Sequence, residues 1–247
     1  MKFTIITVCK NSEKTIQRTF DAMLAQSCLD YEYLVIDGAS RDSTLDIIRK
    51  YEPRFNGRMR WISEPDNGLY DAMNKGIRMA KGEIIGICNS DDFYEPDALQ
   101  NVKNTVEKNC NADVYYGIVR FLNKQGIEKK LLRHSDYFLS EEPMDHPGCF
   151  VRRDTYQKFG FFHHGFQIAA DYDFMLRLHL RGAQFQPMNF IVVNFVEADG
   201  LSSVDWRKTL MDARRVRFQH GLLSVPSYFL YYCRYLIGRI LKFFHLI

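Results

Sequence analysis

The sequence lacks the features that mark several large classes of proteins. It contains no uninterrupted apolar run of about 18 residues, so no membrane-spanning helix is predicted. Its first residues lack the long apolar stretch and the small-residue cleavage site of an export signal. No Gly-x-Gly-x-x-Gly pattern follows the first apolar run, which disfavours a dinucleotide-dependent dehydrogenase.

The cysteines are few and widely spaced. There are six of them, and no two form a Cys-x-x-Cys pair of the kind found in metal and redox sites. Because no export signal accompanies them, we expect free thiols in a reducing compartment. The sequence therefore predicts a cytoplasmic location.

The charge of the chain is unevenly distributed. Of the 247 residues, 46% are hydrophobic and 26% charged, which suits one large α/β domain or a domain with a short appendage. Residues 206–247 contain eight Lys and Arg against the single acid Asp212, so this segment carries +7 and residues 1–205 carry −4. The basic surface is therefore local. We predict a main domain over residues 1–205 and an amphipathic helical extension over residues 206–247.

Strands and helices alternate along the first half of the chain. Short apolar runs indicate buried strands, and apolar residues spaced three or four apart indicate helices. The predicted strands are residues 3–8, 33–36, 60–62 and 84–88, with helices around residues 16–27, 45–51 and 69–80 between them. This alternation is typical of an α/β protein with a mainly parallel sheet flanked by helices. Beyond Pro96 the pattern is mixed, with strands predicted at 114–121, 150–152 and 190–195 and a helix at 171–180.

Carboxylates directly follow two of the predicted strands. Asp37 comes after strand 33–36, and Asp91 and Asp92 come after strand 84–88. In open α/β sheets, ligands bind outside the carboxyl ends of the strands. Hard divalent cations prefer such oxygen ligands together with substrate phosphates. A cap for the helix that begins near Pro96 would explain the acidic pair equally well.

Other polar residues stand at predicted turns and helix starts. Residues 64–76 form a turn and a helix with polar first turns, which also fits a simple capped helix. Asp171 and Asp173 begin helix 171–180, where they either offset the helix dipole or offer a carboxylate as a general base. Arg177, four residues after Asp173, predicts a surface ion pair. His146 is either a contact for an acceptor or a diphosphate, or a structural loop histidine.

In their order and spacing, these segments resemble glycosyltransferase family 2, the inverting enzymes with the GT-A fold. The resemblance runs from about residue 3 to about residue 203. It rests on six segments: residues 4–8 (TIITV), 35–44 (VIDGAS with DST), 64–76 (EPD through Gly), 81–83 (KGE), 89–92 (NSDD) and 170–173 (ADYD). Many members have Glu where this chain has Ala170, but the following Asp171 is kept. Within the family, the chain is similar to bacterial enzymes of surface-polysaccharide assembly.

The resemblance implies a role for each matching residue. Four residues would bind the nucleotide or the donor sugar, for which a UDP-sugar is expected: Thr7, Asp37, Asp66 and Asp91. Asp92 would ligate Mn²⁺ or Mg²⁺ bridging the diphosphate, and the cation would offset the charge of the leaving group. Asp171 would act as the general base that takes the proton of the acceptor hydroxyl.

The C-terminal segment mixes aromatic residues with spaced cations. Arg234, Arg239 and Lys242 interrupt residues 226–244 too often for a membrane-spanning helix. A basic helix with Tyr and Phe suits the headgroup region of an anionic membrane, and packing on the main domain or on a second subunit is the alternative. We expect a peripheral protein on the inner face of the plasma membrane that acts on a lipid-linked or growing cell-surface glycan. No nucleic-acid partner is expected, because the main domain is acidic and no such motif occurs.

Two other functions fit part of the pattern. A sugar-phosphate nucleotidyltransferase also combines acids and a metal on an α/β sheet. It needs a glycine-rich basic loop after the first strand, where residues 9–14 contain no glycine. A non-catalytic nucleotide-sugar-binding protein is the second alternative, and retention of both Asp92 and Asp171 argues against it.

Overall fold

Four parallel strands form the first half of the central sheet. The computed structural model describes residues 2–166, 168–197, 206–230 and 232–233. The four strands are β1 (Phe3–Cys9), β2 (Tyr31–Asp37), β3 (Met59–Ser63) and β4 (Ile84–Ile87). They lie in the order β3-β2-β1-β4. Every residue of β1 and β2 is buried, which explains why their sequences are continuously apolar rather than alternating.

Helices α1 (Ile16–Leu24), α2 (Thr44–Tyr51) and α3 (Leu69–Met79) connect these strands. Helix α3 packs closely on the sheet because it carries a glycine at the contact. A Cβ atom on Gly76 would lie 2.6 Å from Ile6 Cγ2. Gly82, just before β4, is even tighter, since its Cβ would lie 2.5 Å from the carbonyl carbon of Phe3.

The second half of the sheet is mixed. It contains β5 (Phe93–Tyr94), β6 (Val114–Leu122), β7 (Glu128–Leu132), β8 (Cys149–Arg152) and β9 (Phe185–Val196). Strand β8 runs antiparallel to both β4 and β6, whereas β6 and β9 are parallel. The described sheet is therefore less uniformly parallel than the sequence predicts, because β8 enters it from the opposite direction. The order continues as β4-β8-β6-β9-β5, and β7 pairs with β6.

The structure has four further long helices, α4 (Ala98–Lys108), α5 (Arg153–Phe159), α6 (Ala170–Leu180) and α7 (Trp206–Gln219), and residues 225–230 are also helical. Every strand and helix predicted within residues 1–205 is present, while β5, β7 and α5 were not predicted. The helical extension predicted over residues 206–247 is described only in part. Within the described part of the chain, no helix combines the length and the hydrophobicity that crossing a bilayer requires.

The core has two layers, one on each face of the sheet. Successive side chains of β1 point to opposite faces, so Ile5 belongs to one apolar cluster and Ile6 to the other. The second cluster includes Val216 of α7, which is fully buried. Helix α7 therefore packs on the body of the protein. The division of the chain at residue 205 stays a prediction.

Candidate active site

A large open cavity lies at the carboxyl ends of β1 and β4. Its volume is about 1420 Å³. It is bounded on the far side by the start of α6 and by Thr209 and Ala213 of α7. The position is the one where ligands bind in open α/β sheets. The volume exceeds that of ordinary small-molecule pockets, so the cavity has room for a bulky ligand and a second group beside it.

Two loops on one side of the cavity are held together by hydrogen bonds. The loop after β1 lines the cavity, and the loop after β2 packs against it and adds Asp42 to the lining. Asn11 N donates to Ser40 Oγ (2.8 Å), and Arg41 N donates back to Asn11 Oδ1 (2.9 Å). Ser12 N donates to Thr44 Oγ1 (2.8 Å). These bonds fix the loop that carries Lys10 and Lys14 into the cavity wall.

Asp37 lies behind the cavity, at the end of β2. Its carboxylate is fully buried and accepts hydrogen bonds from Ser40 N (3.0 Å), from the Ser40 hydroxyl and from Ser63 Oγ (2.7 Å). Burial and the neighbouring Asp37 raise the pKa of the Cys9 thiol, which therefore stays protonated and donates to Asp37 Oδ1 (3.6 Å). Asp37 thus fixes the turn that supports the cavity wall and does not itself line the cavity.

Thr7 also lies beneath the cavity. It is fully buried, and its hydroxyl donates to the carbonyl oxygen of Cys88 (2.7 Å) and lies 2.8 Å from the Tyr33 hydroxyl. These contacts tie β1 to the segment that follows β4. The structure therefore places Thr7 as a support for the loop that carries Asp91.

Asp66 lines the cavity and is paired with a lysine. Lys75 Nζ lies 2.6 Å from Asp66 Oδ1 and 2.9 Å from Glu64 Oε1. Burial lowers the pKa of Lys75, but the hydrogen bonds and charges of these two acids outweigh that effect and raise it. Asp66 Oδ2 would lie 2.7 Å from a Cβ atom on Gly38, so Asp66 also packs against the turn after β2.

The acidic pair after β4 is divided between the cavity and the core. Asp91 is half-buried and lines the cavity, whereas Asp92 is only 1% exposed and lies beneath it. Asp92 Oδ1 accepts from Val196 N (3.2 Å), and Asp92 Oδ2 accepts from Asn89 Nδ2 (3.4 Å). Burial raises the pKa of both carboxyl groups, and the charge of Asp91 raises that of Asp92 further.

These two carboxylates fit a divalent cation whose remaining coordination positions are filled by oxygen atoms of a bound ligand. No group of three or more metal-ligating side chains occurs in the described ranges of the chain. Two adjacent, poorly solvated carboxylates are costly in their charged forms unless a cation or hydrogen-bond donors compensate them. Mg²⁺ and similar ions are often bound by only one or two carboxylates together with substrate phosphates. Asp91 and Asp92 therefore have the chemistry for such an ion, with the remaining ligands supplied by a diphosphate.

Asp171 lines the cavity from the start of α6. Its side chain is 22% exposed, and it lines the same cavity as Asp91. His146 Nδ1 lies 3.0 Å from Asp171 Oδ2, and the Tyr70 hydroxyl lies 3.0 Å from Asp171 Oδ1. Tyr70 and His146 line the cavity as well. Burial and the charge of Asp171 raise the pKa of Tyr70, which is therefore a neutral donor.

Tyr70 is a site residue that the sequence analysis missed. It belongs to the polar segment 64–76, so a signal was present. However, its partner Asp171 is 101 positions away, and no local spacing links the two.

Helix α7 is attached to the wall beside Asp171 by several contacts. Asp212 Oδ2 accepts from Ile168 N (3.3 Å), and Arg215 donates to the carbonyl oxygen of Gly165 (3.2 Å). The Arg215 guanidinium also lies 5.2 Å from the centre of the Phe166 ring. The first helix of the basic C-terminal segment is thus part of the cavity wall.

A buried ionic cluster strengthens this attachment. Asp173 Oδ2 lies 3.4 Å from Arg177 Nη2 and 3.0 Å from His163 Nδ1, and Asp173 Oδ1 lies 2.9 Å from His220 Nε2. His220 directly follows α7, so the cluster joins α6 to the C-terminal segment. The ion pair predicted for Asp173 and Arg177 is present, but its predicted location at the surface is wrong, because the side chains are only 3% and 5% exposed. Packing by α7 and by residues around 159–163 covers them.

The family of the chain follows from sequence comparison. Residues 4–170 match the model described as Glycosyl transferase family 2. Over 206 residues, the chain is 31% identical to the PGL/p-HBAD biosynthesis glycosyltransferase of Mycobacterium bovis, covering 81% of this chain and 79% of that protein. An uncharacterised glycosyltransferase of Mycobacterium tuberculosis is 32% identical over 182 residues, covering 72% and 68%. The chain therefore belongs to glycosyltransferase family 2.

Solved structures show the same fold. Staphylococcus aureus TarS residues 1–349, in complex with UDP-GlcNAc, gives a TM-score of 0.73 at 18% identity, covering 94% of this chain and 69% of that one. The mannosyltransferase PcManGT of Pyrobaculum calidifontis, in complex with GDP-Man and Mn²⁺, gives 0.67 at 18% identity, covering 92% and 66%. The predictions of a GT-A fold and of a family 2 glycosyltransferase are thereby confirmed.

Proposed function

We propose that this enzyme transfers a sugar with inversion from a nucleoside-diphosphate sugar, with a UDP-sugar as the first choice, to an acceptor hydroxyl. The observation that carries the proposal is that Asp91, which follows β4, and Asp171, at the start of α6, line one and the same cavity. In-line displacement needs this arrangement, because the leaving diphosphate and the attacking hydroxyl stand on opposite sides of the sugar carbon.

The donor would bind on the wall formed by the loops after β1 and β4. Asp92 would hold Mn²⁺ or Mg²⁺, which offsets the negative charge of the diphosphate when it is bound, and Asp91 would contact the ribose or the donor sugar. The Arg18 guanidinium donates to the carbonyl oxygen of Asp91 (2.7 Å), so a positive charge already stands beside this wall. Asp66 would contact the nucleotide directly. Thr7 and Asp37 would act from behind, by fixing the loops.

The acceptor would bind beside Asp171. As the acceptor oxygen forms its bond to the anomeric carbon, the bond from that carbon to the diphosphate oxygen breaks and its electron pair leaves with the diphosphate. Asp171 takes the proton of the acceptor hydroxyl. No covalent bond to the protein is required. His146, which lines the cavity and contacts Asp171, would therefore lie on the acceptor side rather than on the diphosphate side.

The product that is released from the nucleotide substrate distinguishes the candidate functions. The protein would be incubated with a panel of nucleotide sugars, a cation and lipid-linked or glycan acceptors, and the released nucleotide would be identified. Release of nucleoside diphosphate that EDTA abolishes and Mn²⁺ restores supports the proposal. Pyrophosphate release from sugar phosphate and a nucleoside triphosphate would indicate a nucleotidyltransferase. Donor binding without any release would indicate a non-catalytic binding protein.

We further propose that the acceptor is presented at an anionic membrane surface, on the inner face of the plasma membrane. After α7, residues 225–230 are helical and expose Val225 and Phe229 to solvent. Helix α7 connects this apolar surface directly to the cavity wall. The net charge of +7 on residues 206–247 would complement anionic headgroups. Residues 234–247, with the remaining predicted aromatic and basic positions, lie outside the described residues.

Vesicle sedimentation tests this surface. We expect the protein to bind vesicles that contain phosphatidylglycerol and not vesicles of phosphatidylcholine alone. Replacing both Val225 and Phe229 by Ser should abolish binding, whereas replacing Leu29, an exposed leucine before β2, should not. If the protein ignores anionic vesicles and the double variant instead dissociates a dimer, this surface binds a second copy of the chain.

A further inference from the structure

The carboxylate of Asp171 is held by a histidine that comes from a separate part of the chain. We infer that His146 is a positioning residue for the general base, and that it acts through Nδ1 on Asp171 Oδ2. The inference rests on the proposed role of Asp171. It differs from a direct contact between His146 and the acceptor, because it assigns the function to the nitrogen that faces Asp171.

The partner of Nδ1 fixes the tautomer of His146. An ionised carboxylate can only accept hydrogen bonds, so the contact of 3.0 Å requires a proton on Nδ1. The other ring nitrogen of His146 is Nε2. It is buried and has no hydrogen-bond partner among the residues that the structure describes. The contact that organises the imidazole is therefore the one to Asp171.

The local fold places His146 firmly. The residue begins a single turn of 3-10 helix, His146–Gly148, that leads directly into β8. A Cβ atom on Gly148 would lie 2.8 Å from Val119 Cγ2, so the turn packs tightly against β6. His146 itself is only 8% exposed. A donor held this rigidly orients its acceptor, which is what a base needs to meet an incoming hydroxyl.

The other side chain that contacts Asp171 is less able to do this. The Tyr70 hydroxyl has one hydrogen, and both Asp171 Oδ1 and the carbonyl oxygen of Ile168 lie within hydrogen-bond distance of it. Because one hydrogen is shared between two acceptors, Tyr70 donates only part of its hydrogen bond to the carboxylate. His146 Nδ1 is accordingly the main side-chain donor to Asp171.

Two replacements of His146 separate its nitrogens. Asn places an amide N–H near the position of Nδ1, whereas Gln places one near Nε2. We expect His146→Asn to keep kcat within about tenfold of the wild type. His146→Gln should lower kcat by about 10- to 150-fold, the range for losing a hydrogen bond to a charged group. Donor KM and UDP affinity should be unchanged in both variants, because the donor binds on the other wall.

The controls keep this inference separable from the proposed function. His164→Gln, a change in an exposed histidine, should leave kcat unchanged, and thermal unfolding checks that each variant is folded. Asp171→Asn is assayed in parallel, and transfer by this variant at nearly the wild-type rate would show that Asp171 is not the general base. If Asp171→Asn loses transfer but His146→Gln does not, only the positioning role fails. It also fails if His146→Gln keeps kcat near the wild-type value and His146→Asn does not, because the nitrogen that matters is then Nε2.

Discussion

Replacing Asp173 by Asn should destabilise the protein by removing the charge that faces Arg177 in the core. The Arg177 guanidinium is 5% exposed, and burial lowers its pKa even though Asp173 opposes that effect. Without the carboxylate, a buried positive charge would lack its counter-charge. Such changes cost about 3–5 kcal/mol.

The local contacts favour the lower end of that range. Arg177 also donates to the carbonyl oxygens of Phe159 and, at 2.8 Å, of Phe161, and these dipoles partly stabilise its charge. His163 is mostly exposed, so its contact with Asp173 adds little. We therefore expect a loss of about 3 kcal/mol in the free energy of unfolding. For a chain of this size, that corresponds to a fall in Tm of roughly 6–12 °C.

Urea unfolding of the wild type and the variant at neutral pH measures this loss. The matched control is Asp46→Asn, because Asp46 forms a comparable helical ion pair with Arg49 (3.0 Å) but is 80% exposed. The control should change the free energy of unfolding by less than about 1 kcal/mol. Equal effects of the two substitutions would show that the Asp173 cluster is not the buried attachment described above.

Two further substitutions test the packing and the charge of the sheet. Gly82→Ala should lower the free energy of unfolding by about 2–3 kcal/mol, because its Cβ would lie 2.5 Å from the backbone of Phe3; an unchanged Tm would contradict this contact. The pKa of Glu32 is lowered from its ordinary value of 4.5, because hydrogen bonds from Thr4, Lys81 N and Arg60 outweigh the opposing effect of burial. The ionised form therefore stabilises the fold above pH 4.5, and this stabilisation is lost as the pH falls through the lower folded pKa. Urea unfolding should show that Glu32→Gln is destabilised at pH 7 and that its difference from the wild type shrinks with acidification; a difference independent of pH would contradict the charged role.

The sequence predicts the buried strands and the long helices well. β1, β2 and β4 are buried on both faces, so their apolar runs are unmistakable. β7 was missed because its residues are mostly exposed and include three charged side chains, which leaves no apolar face in the sequence. β9 begins at Phe185 rather than at residue 190. Gln186, Pro187 and Asn189 interrupt the apolar pattern over its first residues, so the sequence does not show where the strand begins.

The site is predictable only where its residues belong to contiguous motifs. The acidic pair Asp91 and Asp92 and the start of α6 are such motifs, and both adjoin the cavity. Asp91 lines the cavity whereas Asp92 is buried beneath it, and the spacing of residues in the sequence does not show this difference in burial. The contacts of Asp171 with Tyr70 and His146 and of Asp173 with His220 join distant segments. No local pattern in one sequence encodes such contacts.

The most direct test of the central claim is to measure donor binding and sugar transfer separately for two variants. In calorimetric titration with Mn²⁺ and the UDP-sugar identified by the panel, Asp171→Asn should bind the donor as tightly as the wild type, while Asp92→Ala should lose cation-dependent binding. In the transfer assay, Asp171→Asn should be slower by about 10²- to 10⁴-fold, the usual contribution of a general base. Transfer by Asp171→Asn at nearly the wild-type rate would contradict the claim that this cavity joins a cation-held donor to a single proton acceptor.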